Sequence, residues 1–398
     1  MRLRAVLVFL LTLALLASAC SSDEPAAETT VAPPTTLPAT TTSDQPTTTT
    51  TEAASTITVA GAPDGLVEAV ESLYGTRAQV DPLFSDFLAG ATEAATDVEL
   101  EAHLGMVGGE EVAILTDGTD LLAAATEGGE WTVLGGSLTS LGMDPWYGPE
   151  PLQLYIIGSD ARPGQLVTGH RADSHHIVTI APDASAASIV GIPRDAWVET
   201  PEGGYSKFTN VMASRGPERV VATAEILTGL EYEGYVVTGF AGFVNLVNEF
   251  GGFQVDVPVR MNDEAAKAYL DAGVQYLNGE NMLAFTRTRK TISGGDFTRQ
   301  FHHGVVMQWG MAAVQEKGVT AVPALLEMLE RHTITDLTPS QLVLVGAAIQ
   351  HLDPFETTNV VVPASNGVAG AAYVARLQDG AFEIFANLAD GPYIPDES

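Results

Sequence analysis

What most constrains this chain is a series of short apolar stretches, starting at Leu152, that each run into glycine or charge. Leu152–Ile157 closes in Gly158-Ser159-Asp160-Ala161-Arg162, and a polar loop then leads to Gly169-His170-Arg171-Ala172-Asp173. Ile177–Ile180 turns at Pro182-Asp183 into Ser188–Ile192, which ends in Pro193-Arg194-Asp195. Short apolar runs bounded by turn formers read as buried strands. Helical stretches intervene: one opened by Lys207-Phe208-Thr209-Asn210, then Ala241–Phe250 between the strands Tyr235–Phe240 and Phe253–Val257, then Asn278–Phe285, then Phe301–Val314. Alternating strands and helices predict an α/β class. Charged residues just past strand ends stand where loops converge at the edge of a sheet.

The charge is distributed to match. With 18 Lys+Arg against 50 Asp+Glu, the formal net charge is −32. Such a surface repels nucleic-acid phosphates, so no nucleic-acid partner is expected. Yet 12 of the 18 cations lie between Arg162 and Arg299, and Arg77 alone lies between Cys20 and Asp160. Arg287 and Arg289, two apart, share a face if the chain is extended there. Arginine presents a planar fork of donors that fits phosphate oxygens in pairs. Several arginines with two aspartates suit a polyphosphate bound with a hard cation. The carboxylates take Mg²⁺, or Mn²⁺ in its place, and the arginines take the remaining oxygens. Taken singly, each arginine reads equally well as the partner of a surface carboxylate.

One cysteine excludes an internal disulfide and a thiolate metal cluster. Met1–Cys20 reads as an export signal, with Arg2 and Arg4, an apolar run from Ala5 to Leu16, and small residues Ala17-Ser18-Ala19 before Cys20. That ending resembles a bacterial lipobox, which implies an acylated Cys20 and attachment to the membrane by lipid. No other apolar run is long enough to span a bilayer. Residues 21–58 form a Thr/Pro-rich segment, including Thr47–Thr51, that cannot bury enough apolar surface to fold and is expected to be an extended, disordered spacer. Residues 59–148 read as a small α+β accessory domain. Leu66, Val67, Val70 and Leu73 recur at helical spacing, as do Leu83, Phe84, Phe87 and Leu88. Glu111–Leu115, Asp120–Ala125 and Trp131–Leu134 read as a strand meander. This segment carries no nucleophile–base pair, metal spacing or phosphate loop, and a packing role and a binding role both stay open.

Six blocks in order then carry a resemblance: Gly158-Ser159-Asp160-Ala161-Arg162, Arg171-Ala172-Asp173, Ile192-Pro193-Arg194-Asp195, Lys207-Phe208-Thr209-Asn210, Leu277-Asn278-Gly279-Glu280 through Arg287-Thr288-Arg289, and Gly295-Asp296-Phe297-Thr298-Arg299-Gln300. Residues 149–392 thereby resemble the LytR-CpsA-Psr family of cell-envelope phosphotransferases. The resemblance implies an α/β/α sandwich with a mixed central sheet and an apolar groove for a prenyl chain. It implies Asp160 and Asp173 as metal ligands, and Arg162, Arg171, Arg194, Lys207, Arg287, Arg289 and Arg299 around a pyrophosphate. Of these, Arg194, Arg287, Arg289 and Arg299 are expected to act in catalysis. Asp195 and Asp296 fall on acidic motif positions whose role as base, orienting group or scaffold stays open.

The implied activity is Mg²⁺-assisted transfer of a glycopolymer from a polyprenyl-pyrophosphate carrier to peptidoglycan, on the outer face of the cytoplasmic membrane. Attack by water would make the same site a prenyl-pyrophosphate hydrolase or pyrophosphatase. A lipid-anchored binder of prenyl-linked glycans would need the arginines and groove but not both aspartates. Phe240–Val247 and Met282–Phe285 read as groove lining or as core, with core the better reading. Two features depart from the family pattern. His302 and His303 replace usual family residues and could donate to phosphate only with less assured charge. His175 and His176 are adjacent on a strand, face opposite sides, and cannot easily share a metal.

Overall fold

In the computed structural model, the described residues are 56–91, 97–290 and 292–395. The expected leader, Cys20 and most of the expected spacer lie outside them. The first strand, β1 (Ile57–Ala60), begins inside the stretch expected as spacer, because β-branched Ile57 and Thr58 already pair with Val98 and Glu99. Two short helices follow, α1 (Asp64–Leu73) and α2 (Pro82–Phe87), then a meander of β2 (Val98–Val107), β3 (Glu110–Thr116), β4 (Leu121–Glu127) and β5 (Glu130–Ser137). The five strands form one sheet in sequence order, parallel only between β1 and β2.

This sheet is buried on both faces, and alternation along its strands divides the residues between two cores. Ala113, Leu115, Leu122 and Ala124 pack beneath α1 and α2. Val112, Ile114, Leu121 and Ala123 face the other way, into a cluster that also contains Leu152, Leu154, Leu326 and Val343 from farther along the chain. A strand such as β4, with its run Leu-Leu-Ala-Ala-Ala, therefore reads as continuously apolar.

The second sheet is mixed. Its strands come from β6 (Leu152–Ser159), β7 (Ala172–Ile180) and β8 (Ala187–Gly191). A ribbon of β9 (Trp197–Glu199) and β10 (Tyr205–Lys207) then leads to α3 (Val211–Arg215), α4 (Pro217–Thr228) and β11 (Gly234–Thr238). Next come α5 (Phe240–Phe250), β12 (Phe253–Val257), the hairpin β13 (Met261–Asp263) and β14 (Ala268–Leu270), β15 (Gly273–Leu277), α6 (Gly279–Arg287) and α7 (Asp296–Lys317). The chain ends in α8 (Val322–His332), β16 (Ile334–Thr335), α9 (Pro339–Ile349), β17 (Thr358–Val361), β18 (Ala364–Ala369), β19 (Ala372–Leu377) and α10 (Asp379–Leu388). The central order is β16-β11-β6-β7-β8-β17, parallel at β11–β6 and β8–β17 and antiparallel elsewhere. β12 pairs with β15 outside this sheet.

Successive residues of β6 point to opposite layers. Tyr155 and Ile157 pack with Val220 of α4 and Phe385 of α10, whereas Leu152 and Leu154 face α8 and α9. The result is an α/β/α sandwich. Because α8 and α9 also cover the first sheet, they lie between the two sheets and share a core with both. Contact between β2 and α8 is close enough that a Cβ on Gly105 would stand 2.8 Å from Pro323 Cβ. The backbone amides of Met106 and Gly108 donate to Glu327 and Glu330 of α8 at 2.8 and 2.9 Å.

Candidate functional site

An apolar cavity of about 900 Å³ opens between the central sheet and helices α5, α7, α8 and α9. Ile156 and Val178 line it from the sheet, Met307 and Met311 from α7, and Leu325 and Leu329 from α8. Phe240, Phe243, Leu246 and the buried Val247 also line it. The stretch Phe240–Val247, read from sequence as core, is thus chiefly cavity wall. An α-helix exposes one stripe to the core and another to whatever lies beside it, and here that neighbour is the cavity. In Met282–Phe285, Met282 and Phe285 are core and Leu283 lines the cavity.

The polar end of the cavity is built from strand ends. At the close of β6, Asp160 Oδ2 accepts from Arg171 Nε and Nη2 at 2.9 and 2.6 Å, and Oδ1 accepts the Arg171 amide at 3.0 Å. On β7, Asp173 Oδ2 accepts from Arg194 Nη1 at 2.6 Å and Oδ1 from the Thr209 hydroxyl at 3.0 Å. Burial alone would raise the Asp173 pKa, but Arg194 and Arg299 outweigh it and hold the carboxyl below its ordinary value. Arg299, 5% exposed on its side chain, donates through Nη2 to the Asp173 carbonyl at 2.9 Å. Its burial pushes its pKa down to about 10, with Asp296 opposing, so it stays charged at neutral pH. Asp296 opens α7 and ties three arginines: Arg299 at 2.7 Å, Arg194 at 3.5 Å and Arg289 at 3.6 Å.

Arg287 closes α6 beneath the Phe240 ring, its guanidinium carbon 4.8 Å from the ring centroid. Burial and then the like charges of Arg162 and Arg289 lower its pKa. Among the described residues neither Arg162 nor Arg287 makes an ion pair. In all, seven cationic side chains line the cavity (Arg162, Arg171, Arg194, Arg287, Arg289, Lys290 and Arg299) against the carboxylates Asp160, Asp173 and Asp263. Buried Nε atoms of Arg194 and Arg299 have no hydrogen-bond partner. A protein of net charge −32 has placed a cation excess at the mouth of an apolar cavity.

Lys207 and Asp195 are brought together elsewhere. Lys207 Nζ lies 2.9 Å from Asp195 Oδ1, and neither side chain lines the cavity. His175, His176, His302 and His303 are buried and uncharged at neutral pH. His302 turns away and stacks on Phe285 with centroids 4.7 Å apart, and burial lowers its pKa to about 4. His303 does line the cavity, but its ring nitrogens are held by the Ser174 hydroxyl at 2.8 Å and the Thr286 carbonyl at 2.9 Å, and burial keeps it neutral. His175 and His176 face opposite sides: His175 stacks on Phe208, and His176 meets Ser174 and the Gln300 carbonyl.

Asp263 and Lys290 line the cavity but are not marked as site residues by the sequence. Asp263 is buried at the end of β13; its Oδ2 accepts the amides of Arg289 and Lys290, both at 3.1 Å, and Oδ1 accepts those of Ala265 and Ala266 at 3.1 and 3.3 Å. That grip holds the chain extended after α6, where Thr288 caps the helix in extended backbone. The segment Met261-Asn262-Asp263 carries few turn or period signals, and one more aspartate in an acidic chain does not stand out.

No cluster of three or more His, Cys, Asp or Glu among the described residues is arranged to hold a metal. Mg²⁺ asks for less, taking one or two carboxylates and completing its shell with phosphate oxygens and water. Asp160 and Asp173 both stand at the cavity mouth, where Arg171, Arg194 and Thr209 occupy their oxygens.

Residues 143–390 match the model of the LytR_cpsA_psr family. Among curated proteins, the chain is 34% identical over 154 residues to the polyisoprenyl-teichoic acid–peptidoglycan teichoic acid transferase TagT of Bacillus subtilis strain 168, covering 37% of this chain and 48% of TagT. It is 31% identical over 199 residues to TagU of Bacillus cereus, a transferase of the same name, covering 48% of this chain and 62% of TagU. The matched region thus spans about half the length of these relatives. Among solved structures, B. subtilis TagV superposes with a TM-score of 0.53 at 22% identity over 60% of this chain and 96% of that one. TagT bound to LI-WTA superposes with a TM-score of 0.51 at 23% identity over 61% and 90%. These likenesses establish the fold.

Proposed function

The chain belongs to the LytR_cpsA_psr family, and from that premise we propose that it is a cell-envelope phosphotransferase. It moves a glycopolymer from a polyprenyl-pyrophosphate carrier onto peptidoglycan. The observation that carries the reading is the joining of a 900 Å³ apolar cavity to a mouth lined by seven cations. An apolar chain ending in a diphosphate has that same division of character. The names of the relatives TagT and TagU, with polyisoprenyl-linked donors and peptidoglycan acceptors, agree with it.

In this reading an acceptor hydroxyl oxygen attacks the phosphorus that bears the glycan. A P–O bond to it forms, the P–O bond to the prenyl phosphate breaks, and the hydroxyl proton departs to solvent or a base. Arg194, Arg289 and Arg299, already fixed by Asp173 and Asp296, neutralise charge on the transferring and leaving oxygens without reorganising. Arg162 and Arg287 have unpaired charge to give to the diphosphate, and Arg171 reaches it while bound to Asp160. Mg²⁺, or Mn²⁺, held by Asp160 and Asp173 with diphosphate oxygens, would supply additional charge neutralisation. The Lys207–Asp195 pair stands outside the cavity and orients the segment behind Arg194.

Export, and anchoring through an acylated Cys20, belong to the same proposal. No described helix is long and apolar enough to cross a membrane. Palmitate labelling of Cys20 and its loss in C20S test the anchor. For the activity, a polyprenyl-pyrophosphate saccharide is supplied with and without peptidoglycan glycan. Acceptor-linked phosphodiester is the expected product. Saccharide phosphate released at the same rate regardless of acceptor would make the protein a hydrolase, and unchanged turnover in D160A/D173A would make it a binder.

A further inference from the structure

The ribbon β9–β10 presents one face that the chemistry above does not use. Its register pairs Trp197 with Lys207 and Glu199 with Tyr205, so these four side chains project from the same side. The opposite side buries Val198 in the core beneath the central sheet. On the outer side the Trp197 and Tyr205 rings lie nearly parallel, 14° apart with centroids at 6.3 Å, and Tyr205 is 59% exposed. Exposed Glu199 flanks them on one end. Lys207, paired with Asp195, flanks them on the other. Flat aromatic surface with charged hydrogen-bonding groups at its rim suits a ligand with apolar C–H faces and a hydroxyl perimeter, which describes a pyranose.

The platform is rigid. Its turn is closed by Gly203 N to Thr200 O at 2.9 Å and Thr200 N to Gly204 O at 3.1 Å, and Glu202 is held by Arg219 at 2.9 Å. Its root is continuous with the cavity mouth. The Thr209 amide donates to the Arg194 carbonyl at 2.8 Å, while the Thr209 hydroxyl donates to Asp173. None of Trp197, Glu199, Tyr205 or Lys207 lines the apolar cavity. In-line displacement requires the attacking hydroxyl to approach from the side away from the leaving prenyl phosphate. The ribbon lies outside the cavity and is joined to its mouth through Thr209 and Arg194.

We propose that Trp197 and Tyr205 form the subsite that stacks sugar rings of the acceptor glycan, an assignment that rests on the transferase reading. The probe is a peptide-free tetrasaccharide cut from peptidoglycan, titrated into the full chain and followed by tryptophan fluorescence and calorimetry. W197A and Y205A should each weaken binding by roughly tenfold, the scale of losing a stacked aromatic contact. Y205F, which keeps the ring, should bind as the parent does. In turnover, the acceptor KM should rise by a similar factor, whereas the donor KM should not move. Parental tetrasaccharide affinity in the W197A/Y205A double variant would overturn the assignment. So would a rise in donor KM instead of acceptor KM, which would give the platform to the donor's own glycan. If no acceptor is ever glycosylated and W197A still loses the tetrasaccharide, the glycan site stands and the transferase reading falls.

Discussion

Arg194 Nη1 lies 2.6 Å from Asp173 Oδ2, and both side chains are about four-fifths buried at the cavity mouth. The pair joins a strand end of β8 to the start of β7, and Arg299 and Asp296 extend it into a network of alternating charge. Each charge in this network has a partner, so the arginines are already oriented for the diphosphate of the proposed function.

The fork of Arg194 should therefore matter more than its charge. R194K keeps the cation but loses the planar fork that holds Asp173 and a phosphate oxygen in fixed geometry. We expect kcat for donor turnover to fall on the order of 10²-fold, the scale of removing one oriented donor from a transition state. The thermal midpoint should move little, because an ammonium still compensates Asp173. Donor turnover within a few-fold of the parent would show that Arg194 only neutralises the aspartate.

Asp263 should act on catalysis through Arg289. D263A removes the acceptor of four backbone amides and leaves them unmet in a buried place, at a cost of about 1–3 kcal/mol. D263N keeps the shape and part of the acceptor capacity, so it should fold well. It should nevertheless lower kcat more than it raises donor KM, because Arg289 reaches Asp296 only while the segment after α6 is held extended. Equal kcat in parent and D263N would reduce Asp263 to a scaffold.

Acid should destabilise the fold in two separate windows. Burial lowers the pKa of His175 to about 3 and of His176 and His302 to about 4, from 6.5. Between those values the unfolded chain binds protons that the folded chain refuses, so stability falls as pH drops from about 6.5 toward 4. Asp173 has a lowered pKa, so its contribution is present above the ordinary carboxylate range and is lost only below it. Thermal midpoints measured from pH 7.5 to 4 should decline, with the first drop near pH 6. A flat profile down to pH 4.5 would mean that the histidines are solvated.

Much of this was legible in sequence because strand ends announce themselves. Asp160 and Arg194 each follow an apolar run closed by glycine or proline, Asp173 stands just ahead of the next one, and the fold brings all three to one edge. Arg287 and Arg289 could share a face only if the chain between them were extended; Arg287 ends α6, Thr288 is extended, and both arginines line the cavity. What stayed hidden depends on the third dimension. Asp263 works through backbone amides far along the chain, and no periodicity marks such a partner. Phe240, Phe243 and Leu246 have the pattern of any buried helix face, since hydrophobicity does not distinguish a cavity wall from a core. The fate of His302 was likewise set by Phe285, which sequence could not place against it.

The first sheet, for its part, should tune the cavity from outside it. Gly105 of β2 lies so close to α8 that an added Cβ meets Pro323 Cβ at 2.8 Å and its backbone at 3.1 Å. α8 carries Leu325, Leu326 and Leu329 into the cavity. G105V must either push α8 toward the cavity or part the two layers, and overpacking of this kind costs about 1–3 kcal/mol. We expect a lower thermal midpoint together with a donor KM that rises more for a long prenyl chain than for a short one. The chain-length contrast separates the two effects, since simple loss of folded protein lowers turnover of both donors alike. A midpoint shift with no such contrast would confine the first sheet to stability and detach it from the shape of the cavity.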